Sequence, residues 1–164
     1  MPERKAPHWV LWLSVSAGVV LVDQVVKTVI RHKIGLPQSI RVTPFFDLVL
    51  TYNPGAAFSF LSTASGWQRN LFIGIALAAS VLILYLLRKH AGERLFCLGL
   101  SLILGGALGN LLDRVQFGAV VDFLHFHLGE HYWPAFNVAD SSITCGAGVL
   151  IWDALRRSKA RSTR

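Results

Sequence analysis

Charged residues are scarce in this chain. Aspartate, glutamate, lysine and arginine make up 15% of its 164 residues, whereas soluble domains average about 25%. Hydrophobic residues make up 53%, and the mean hydropathy is +0.50. This composition excludes an ordinary soluble domain and predicts that lipid is the solvent for much of the chain.

Acidic residues are scarcer than basic ones, which leaves a net charge of +7. Such a surplus is also typical of nucleic-acid-binding proteins. Here, however, the basic residues lie in the tails and between apolar runs, where positive charge sets the orientation of a membrane protein. We therefore predict no nucleic-acid partner.

Cysteine is almost absent. Cys97 and Cys145 both lie inside apolar runs, where thiols usually act as small, inert hydrophobic groups. Because the two positions fall at different membrane depths, we expect no disulfide between them. Cysteine content therefore does not assign a redox compartment.

Four apolar runs lie at about 9–30, 70–87, 95–112 and 136–152. A membrane-spanning helix takes roughly 17–25 residues, so each run predicts one span. The first is longer than the apolar core of a signal peptide, about 7–15 residues, and lacks a convincing cleavage site, so we expect it to be retained. Residues 1–164 are thus predicted to form a single polytopic membrane domain.

An even number of spans places both termini on one side of the membrane. Ten lysine and arginine residues fall on that side and six toward the other. Because cytoplasmic loops carry the excess of positive charge, both termini are predicted to be cytoplasmic.

The insertion between the first two spans, about 31–68, is rich in proline and too polar to cross the bilayer. It contains two strand-like runs, Ser39–Val42 and Phe45–Tyr52, and the turn signal Asn53-Pro54-Gly55. The apolar segment 56–61 that follows is too short to span. We predict a small sheet and an interfacial segment on the extracytoplasmic side.

Polar residues recur near the predicted outer ends of the spans. Asp23 and Lys27, one helical turn apart, predict an ion pair that faces the bundle. Ser101, Gly105 and Gly109 form a ridge of small residues against which another helix can pack closely. Polar groups are energetically costly within a bilayer, so their concentration in one leaflet predicts a single functional site there. The residues concerned are Asp23, Lys27, Asn53, Asn110, Asp113, Arg114, Asp122, Asn137 and Asp140.

Asp122 and Asp140 are the candidate reacting groups. Hydrolysis of an amide without a metal needs one group that deprotonates water and another that protonates the carbonyl oxygen. Two neighbouring carboxylates that share one proton supply both, and Asn137, one turn before Asp140, would orient it. The spacing alone also fits two capping or ion-paired residues.

Three other chemistries fit parts of the sequence. His127 to His131 match the zinc-peptidase pattern H-x-x-E-H, but that pattern requires a helix, which Gly129 disfavours; His125 and His127 on one strand face are a further metal reading. Buried aspartates also suit a four-helix transporter or assembly factor that relays protons. Serine and cysteine nucleophiles lack a recognisable motif: Ser59, Ser141 and Cys145.

Five segments in order resemble the bacterial lipoprotein signal peptidases (signal peptidase II), over nearly the full length of the chain. They are Asp23 to Lys27, Asn53 to Ser59, Gly105 to Arg114, Val120 to Phe123, and Phe136 to Ser141. The resemblance implies an aspartyl endopeptidase with Asp122 and Asp140 as its catalytic residues. Substrate-binding or supporting roles fall to Asn53, Asn110, Arg114, Asn137, Asp23, Lys27, Gly105 and Asp113.

The resemblance also implies where the protein works and on what. The expected substrate is a diacylglyceryl-prolipoprotein, cut just before its lipidated cysteine, in the bacterial cytoplasmic (inner) membrane with the active site facing the outer leaflet. Membrane lipid is a further partner, we expect a monomer, and the sequence indicates no prosthetic group. The implied fold is an all-α membrane protein of four transmembrane helices, with a small extracytoplasmic β-cradle, an interfacial helix and both termini cytoplasmic.

Overall fold

The computed structural model describes residues 8–34, 39–55 and 66–162. These ranges contain four helices and one sheet of four strands, so the predicted combination of four apolar helices and a small antiparallel sheet is confirmed. In chain order the elements are α1 (His8–Lys33), β1 (Ser39–Thr43), β2 (Phe46–Asn53), α2 (Trp67–Lys89), α3 (Arg94–Phe117), β3 (Val120–Leu128), β4 (His131–Tyr132) and α4 (Val138–Ser162).

All four helices are long and apolar enough to cross a membrane. Large apolar side chains such as Ile75 and Val81 on α2 point away from the protein, as expected where lipid is the solvent. The chain is a multi-pass membrane protein. The helix ends differ from those of the apolar runs: α3 continues past 112 to Phe117, and α4 begins two residues later than predicted, at Val138, and continues past 152 to Ser162.

Glycines of α3 let the neighbouring helices pack closely. A methyl group added to Gly105 would lie 2.6 Å from Cβ of Val19 and 2.8 Å from the carbonyl oxygen of Ser16, both on α1. One added to Gly106 would collide with the backbone of Ala139 on α4. The predicted ridge therefore faces α1, and the adjacent glycine gives α4 the same close approach.

The strands are antiparallel, and their order in the sheet is β1-β2-β3-β4. The first two correspond to the strand-like runs predicted within 31–68. Strand β3 lies between α3 and α4, outside the insertion to which the sequence analysis assigned the sheet. Its far edge also bonds to the segment before α4, because Phe123 and Leu124 both donate to the carbonyl of Phe136, at 3.0 and 2.8 Å.

An apolar cluster fixes the sheet to the end of α1. Ile30 of that helix and Ile34 directly after it pack against Leu50 of β2 and against Val121 and Phe123 of β3. Asp122 stands between the last two, so burial of its neighbours fixes its position. The predicted interfacial segment 56–61, including Ser59, lies outside the described residues.

The H-x-x-E-H segment forms the β3–β4 hairpin rather than a helix. Gly129 takes a positive φ of 59° at its turn, and His127 lies with Nε2 3.3 Å from Oδ2 of Asp47 on β2. Within 8–34, 39–55 and 66–162, no three histidine, cysteine or acidic side chains are gathered as metal ligands. The helical geometry that the zinc motif requires is not present in this hairpin.

Candidate active site

A cavity of about 580 Å³ lies between the sheet, α3 and α4. Its walls are mainly apolar and come largely from the segment Trp133 to Phe136 and from Ile143 to Cys145 of α4. Five charged or amide side chains from β2, β3 and the two helices also line it: Asn53, Asn110, Arg114, Asp122 and Asp140. The cavity combines an apolar surface with a small set of strongly polar groups.

Asp122, on β3 opposite Thr51, is 2% exposed. Nδ2 of Asn53 donates to its Oδ2 at 3.1 Å, and Nδ2 of Asn137 donates to its Oδ1 at 2.7 Å. Burial, together with the nearby carboxylate of Asp140, raises the pKa of Asp122 to about 7, although both hydrogen bonds oppose the shift. A carboxyl group with this pKa exchanges its proton readily near neutral pH.

Asp140 is held by the start of α4. Its backbone N–H donates to Oδ1 of Asn137 at 2.8 Å, and the N–H of Asn137 donates to Oδ2 of Asp140 at 3.3 Å. This reciprocal pair is a capping box. Nδ2 of Asn110 donates to the other oxygen, Oδ1, at 2.8 Å. Asp140 therefore both caps its helix and lines the cavity.

Asn137 connects the two carboxylates. While its Oδ1 accepts from Asp140, its Nδ2 donates to Asp122 and also lies 3.2 Å from Oδ1 of Asn110 and from the carbonyl oxygen of Val121. The side chain is fully buried. The bonds between Phe136 and β3 bring it there, so the strand that carries one aspartate also positions the helix start that carries the other.

A buried ion-pair group lies behind the cavity. Nζ of Lys27 is 2.8 Å from Oδ2 of Asp23 and 2.7 Å from Oδ2 of Asp113. The predicted Asp23–Lys27 pair is confirmed, and Asp113 is a second partner that the sequence did not indicate. None of the three lines the cavity.

Arg114 lines the cavity from the end of α3. Its Nη2 donates to the carbonyl of Gly55 at 2.8 Å, and its guanidinium lies 4.9 Å from the ring centroid of Phe72. Within the described ranges its buried Nε–H has no hydrogen-bond partner. This N–H is a donor available to a bound molecule.

With one exception, the residues predicted to form a site either line the cavity or belong to the hydrogen-bonded group behind it. Gly105 packs against α1 and does not line the cavity. The sequence analysis missed the apolar wall, from Trp133 to Phe136 and from Ile143 to Cys145. The aromatic and proline-rich composition of the first segment was the signal for it. The catalytic roles of Asp122 and Asp140 stay predictions at this point.

Two solved structures, both described as bacterial membrane enzymes, resemble this fold. One matches with a TM-score of 0.81 and 32% identity over 90% of this chain and 89% of its own. The other matches with a TM-score of 0.78 and 33% identity over 88% and 92%. Fold and site together thus define a polytopic membrane enzyme.

Proteins with similar sequences identify the family to which this membrane enzyme belongs. The model of the family described as signal peptidase (SPase) II matches residues 15–156. The chain is 54% identical to the lipoprotein signal peptidase of Janthinobacterium sp. (strain Marseille) over 89% of its length and 88% of the relative's. It is 55% identical to that of Burkholderia vietnamiensis over 93% and 91%. The chain belongs to the signal peptidase II family and is a protease.

Proposed function

We propose that this protein is an aspartyl endopeptidase that removes the signal peptide from diacylglyceryl-prolipoproteins, cutting just before the lipidated cysteine. The observation that carries the proposal is the pair of carboxylates, Asp122 and Asp140, joined by Asn137 at an apolar cavity. The relatives named lipoprotein signal peptidase support the substrate class and disfavour the transporter alternative.

In the proposed reaction, one carboxylate of the pair is ionised and removes a proton from water, which attacks the carbonyl carbon of the scissile bond. The other is protonated and donates to the carbonyl oxygen. The C–N bond of the tetrahedral intermediate then breaks, and the leaving amine takes a proton. Asn137 supports this chemistry because it holds both carboxylates at once, and a coupled pair titrates jointly.

The cavity suits a substrate that remains in the membrane. Thr144 and Cys145 line it and are also exposed along α4, so an apolar signal helix in lipid can approach from that side. The apolar wall suits acyl chains. Arg114, whose Nε–H has no partner among the described residues, and Asn53 would bind the peptide backbone.

The proposal includes the setting of the enzyme. The distribution of basic residues supports cytoplasmic termini in the inner membrane, with the site toward the outer leaflet. Segment 56–61 is proposed as an interfacial helix, and the enzyme is proposed to act as a monomer in contact with membrane lipid.

The test compares wild type, Asp122→Asn and Asp140→Asn in detergent on a diacylglyceryl-modified precursor, with a gel to follow the mature product. Loss of a general acid or base costs roughly 10²–10⁴-fold in rate, so we expect neither variant to give detectable product. Asp47→Asn is the matched control, because Asp47 lies on the same sheet outside the cavity. It should cleave as wild type.

A chelator distinguishes the proposed mechanism from that of a metallopeptidase, because cleavage by wild type should be unaffected by it. Rapid cleavage by a folded variant of either aspartate would contradict the proposed mechanism. Cleavage that the chelator inhibits would instead favour a metallopeptidase that uses the histidines of the β3–β4 hairpin.

A further inference from the structure

Lys27 is the only cation buried this deeply among the described residues of α1, with 2% of its side chain exposed. Its ammonium has three acceptors: Oδ2 of Asp23 at 2.8 Å, Oδ2 of Asp113 at 2.7 Å and Oδ1 of Asn110 at 3.1 Å. An ammonium group has three N–H donors, so the three contacts use its full capacity.

Each of the two carboxylates also holds a backbone amide. Oδ1 of Asp23 accepts the N–H of Ala139 at 2.9 Å, and Oδ2 of Asp113 accepts the N–H of Val121 at 3.0 Å. Ala139 directly precedes Asp140, and Val121 directly precedes Asp122. One ammonium thus anchors, through two carboxylates, the backbone that leads into each aspartate of the pair.

The third contact sets the orientation of a side-chain amide. Because an ammonium only donates, Asn110 must turn its oxygen toward Lys27. Its Nδ2 then faces Asp140, to which it donates at 2.8 Å. Without Lys27 the amide oxygen keeps only the 3.2 Å contact from Nδ2 of Asn137, a donor that is shared with Asp122 and Val121, so its orientation is less well fixed.

We propose that Lys27 is a positioning residue of the reaction: through Asp23, Asp113 and Asn110 it holds Asp122 and Asp140 in their working geometry. This inference rests on the proposed function. Among the described residues α1 contributes none to the cavity lining, so Lys27 acts on the reacting groups and not on substrate binding.

The three buried charges of Asp23, Lys27 and Asp113 are not explained by a gain in the free energy of unfolding. The cost of removing charges from water can exceed the gain from pairing them, and apolar replacements of a whole group are often neutral or stabilising. Apolar side chains at these three positions could not orient Asp122 and Asp140.

The test variant is Lys27→Met/Asp113→Asn, compared with Asp113→Asn alone. In the double variant, Asp113→Asn keeps an oxygen for the N–H of Val121. Because one positive and one negative charge are removed together, positions 23, 27 and 113 retain the wild-type net charge of one negative unit. Since small misplacements of reacting groups cost about 100-fold, we expect kcat per folded molecule to fall about 100-fold below that of Asp113→Asn. KM should stay within about threefold, because the cavity lining is unchanged.

A second readout does not depend on cleavage. Hydrogen exchange followed by mass spectrometry should show faster exchange in the peptides containing Val121 and Ala139 in the double variant. If wild type itself did not cleave, the proposed function would fail while this readout still tested the positioning.

Arg157→Met is the matched control at the opposite helix ends. Arg157 bridges Glu93 at 2.5 Å and Asp153 at 2.6 Å, so its removal also separates a cation from two carboxylates, but far along α4 from the cavity. It should lower thermal stability and leave kcat per folded molecule and exchange at Val121 unchanged.

A folded double variant with kcat within threefold of Asp113→Asn, or one in which only KM changed, would overturn the proposal. If the double variant is not recovered folded, Lys27→Arg replaces it. The larger planar guanidinium keeps the charge but cannot reproduce the three contacts, so the same fall in kcat is expected. Wild-type kcat in that variant would equally overturn the proposal.

Discussion

Asn137 is the residue on which the geometry of both aspartates depends. One end of its amide accepts from Asp140, and the other donates to Asp122. The two carboxylates nevertheless have different surroundings. Asp140 lies in the first turn of α4, where the helix dipole favours negative charge, whereas Asp122 lies on a strand among apolar residues. Different surroundings are what separate the two roles in a carboxylate pair.

The burial of Asp122 predicts that this residue costs stability above neutral pH. Its pKa is raised to about 7 in the folded protein, against an ordinary value of 3.8. Between these values the folded state holds a proton that the unfolded state has released, so the free energy of unfolding falls as pH rises through this window. Asp122→Asn, which cannot ionise, should therefore unfold at a higher temperature than wild type at pH 8 and at about the same temperature at pH 4.

Thermal unfolding in detergent across that pH range measures the difference. Asp47→Asn, on the neighbouring strand beside His127, should gain nothing at pH 8. An Asp122→Asn variant that was no more stable than wild type at pH 8 would contradict the account of its burial.

Contacts between residues one helical turn apart could be predicted from the sequence, whereas contacts between residues far apart in the chain could not. The i, i+4 spacing of Asp23 and Lys27 indicates their pair directly. The contact between Lys27 and Asp113 joins α1 to α3, and no local pattern encodes a meeting between residues so far apart. The same holds for the bonds from Asp23 to Ala139 and from Asp113 to Val121.

Among the elements, β3 and the two-residue β4 were not predicted from the sequence, and β3 is the one that carries a candidate aspartate. A run of β-branched and aromatic residues between Gly118 and Gly129, both with positive φ, was the available signal. Its shortness and its place between two spans favoured a loop instead. Its pairing with β2 shifts register between Leu48 and Thr51, and such bulges depend on tertiary packing.

The contact between α3 and α4 predicts a sharp difference between two glycines. In Gly106→Ala the new methyl group meets the backbone of Ala139, which cannot move without displacing the start of α4. Overpacking of this kind costs about 1–3 kcal/mol, so we expect a lower unfolding temperature and reduced cleavage.

Gly74→Ala is the control, because nothing lies within 4 Å of a methyl group at that position on α2. Alanine is favoured over glycine inside a helix by about 0.5–1 kcal/mol, so this variant should be as stable as wild type or more so. Equal effects at the two positions would contradict the close packing described for Gly106.

For the whole molecule, hydropathy was sufficient to predict four helices, and the placement of polar residues was sufficient to predict that they meet at one end. Neither pattern shows which polar groups bond to which. That depends on the sheet, which joins the segment after α1 to the segment after α3, and on the glycines that bring α1 and α4 against α3.

The proposed orientation predicts the accessibility of single cysteines in intact cells. In a background of Cys97→Ala/Cys145→Ala, Glu130→Cys in the β3–β4 hairpin should react with a thiol reagent that crosses the outer but not the inner membrane. Lys159→Cys, near the end of α4, should react only after the cells are opened. The reverse pattern would place the proposed site in the cytoplasm.

The position of Asp140 on the last helix has a consequence for biosynthesis. Chains are made from the amino terminus onward, so α4 leaves the ribosome after α1, α2, α3 and the sheet. Until it enters the bilayer, Asp122 has neither Asn137 nor a second carboxylate beside it. Under the proposed mechanism the nascent chain is therefore inert until α4 has inserted, and a message truncated anywhere before Asp140 yields a chain with half of the proposed reaction centre.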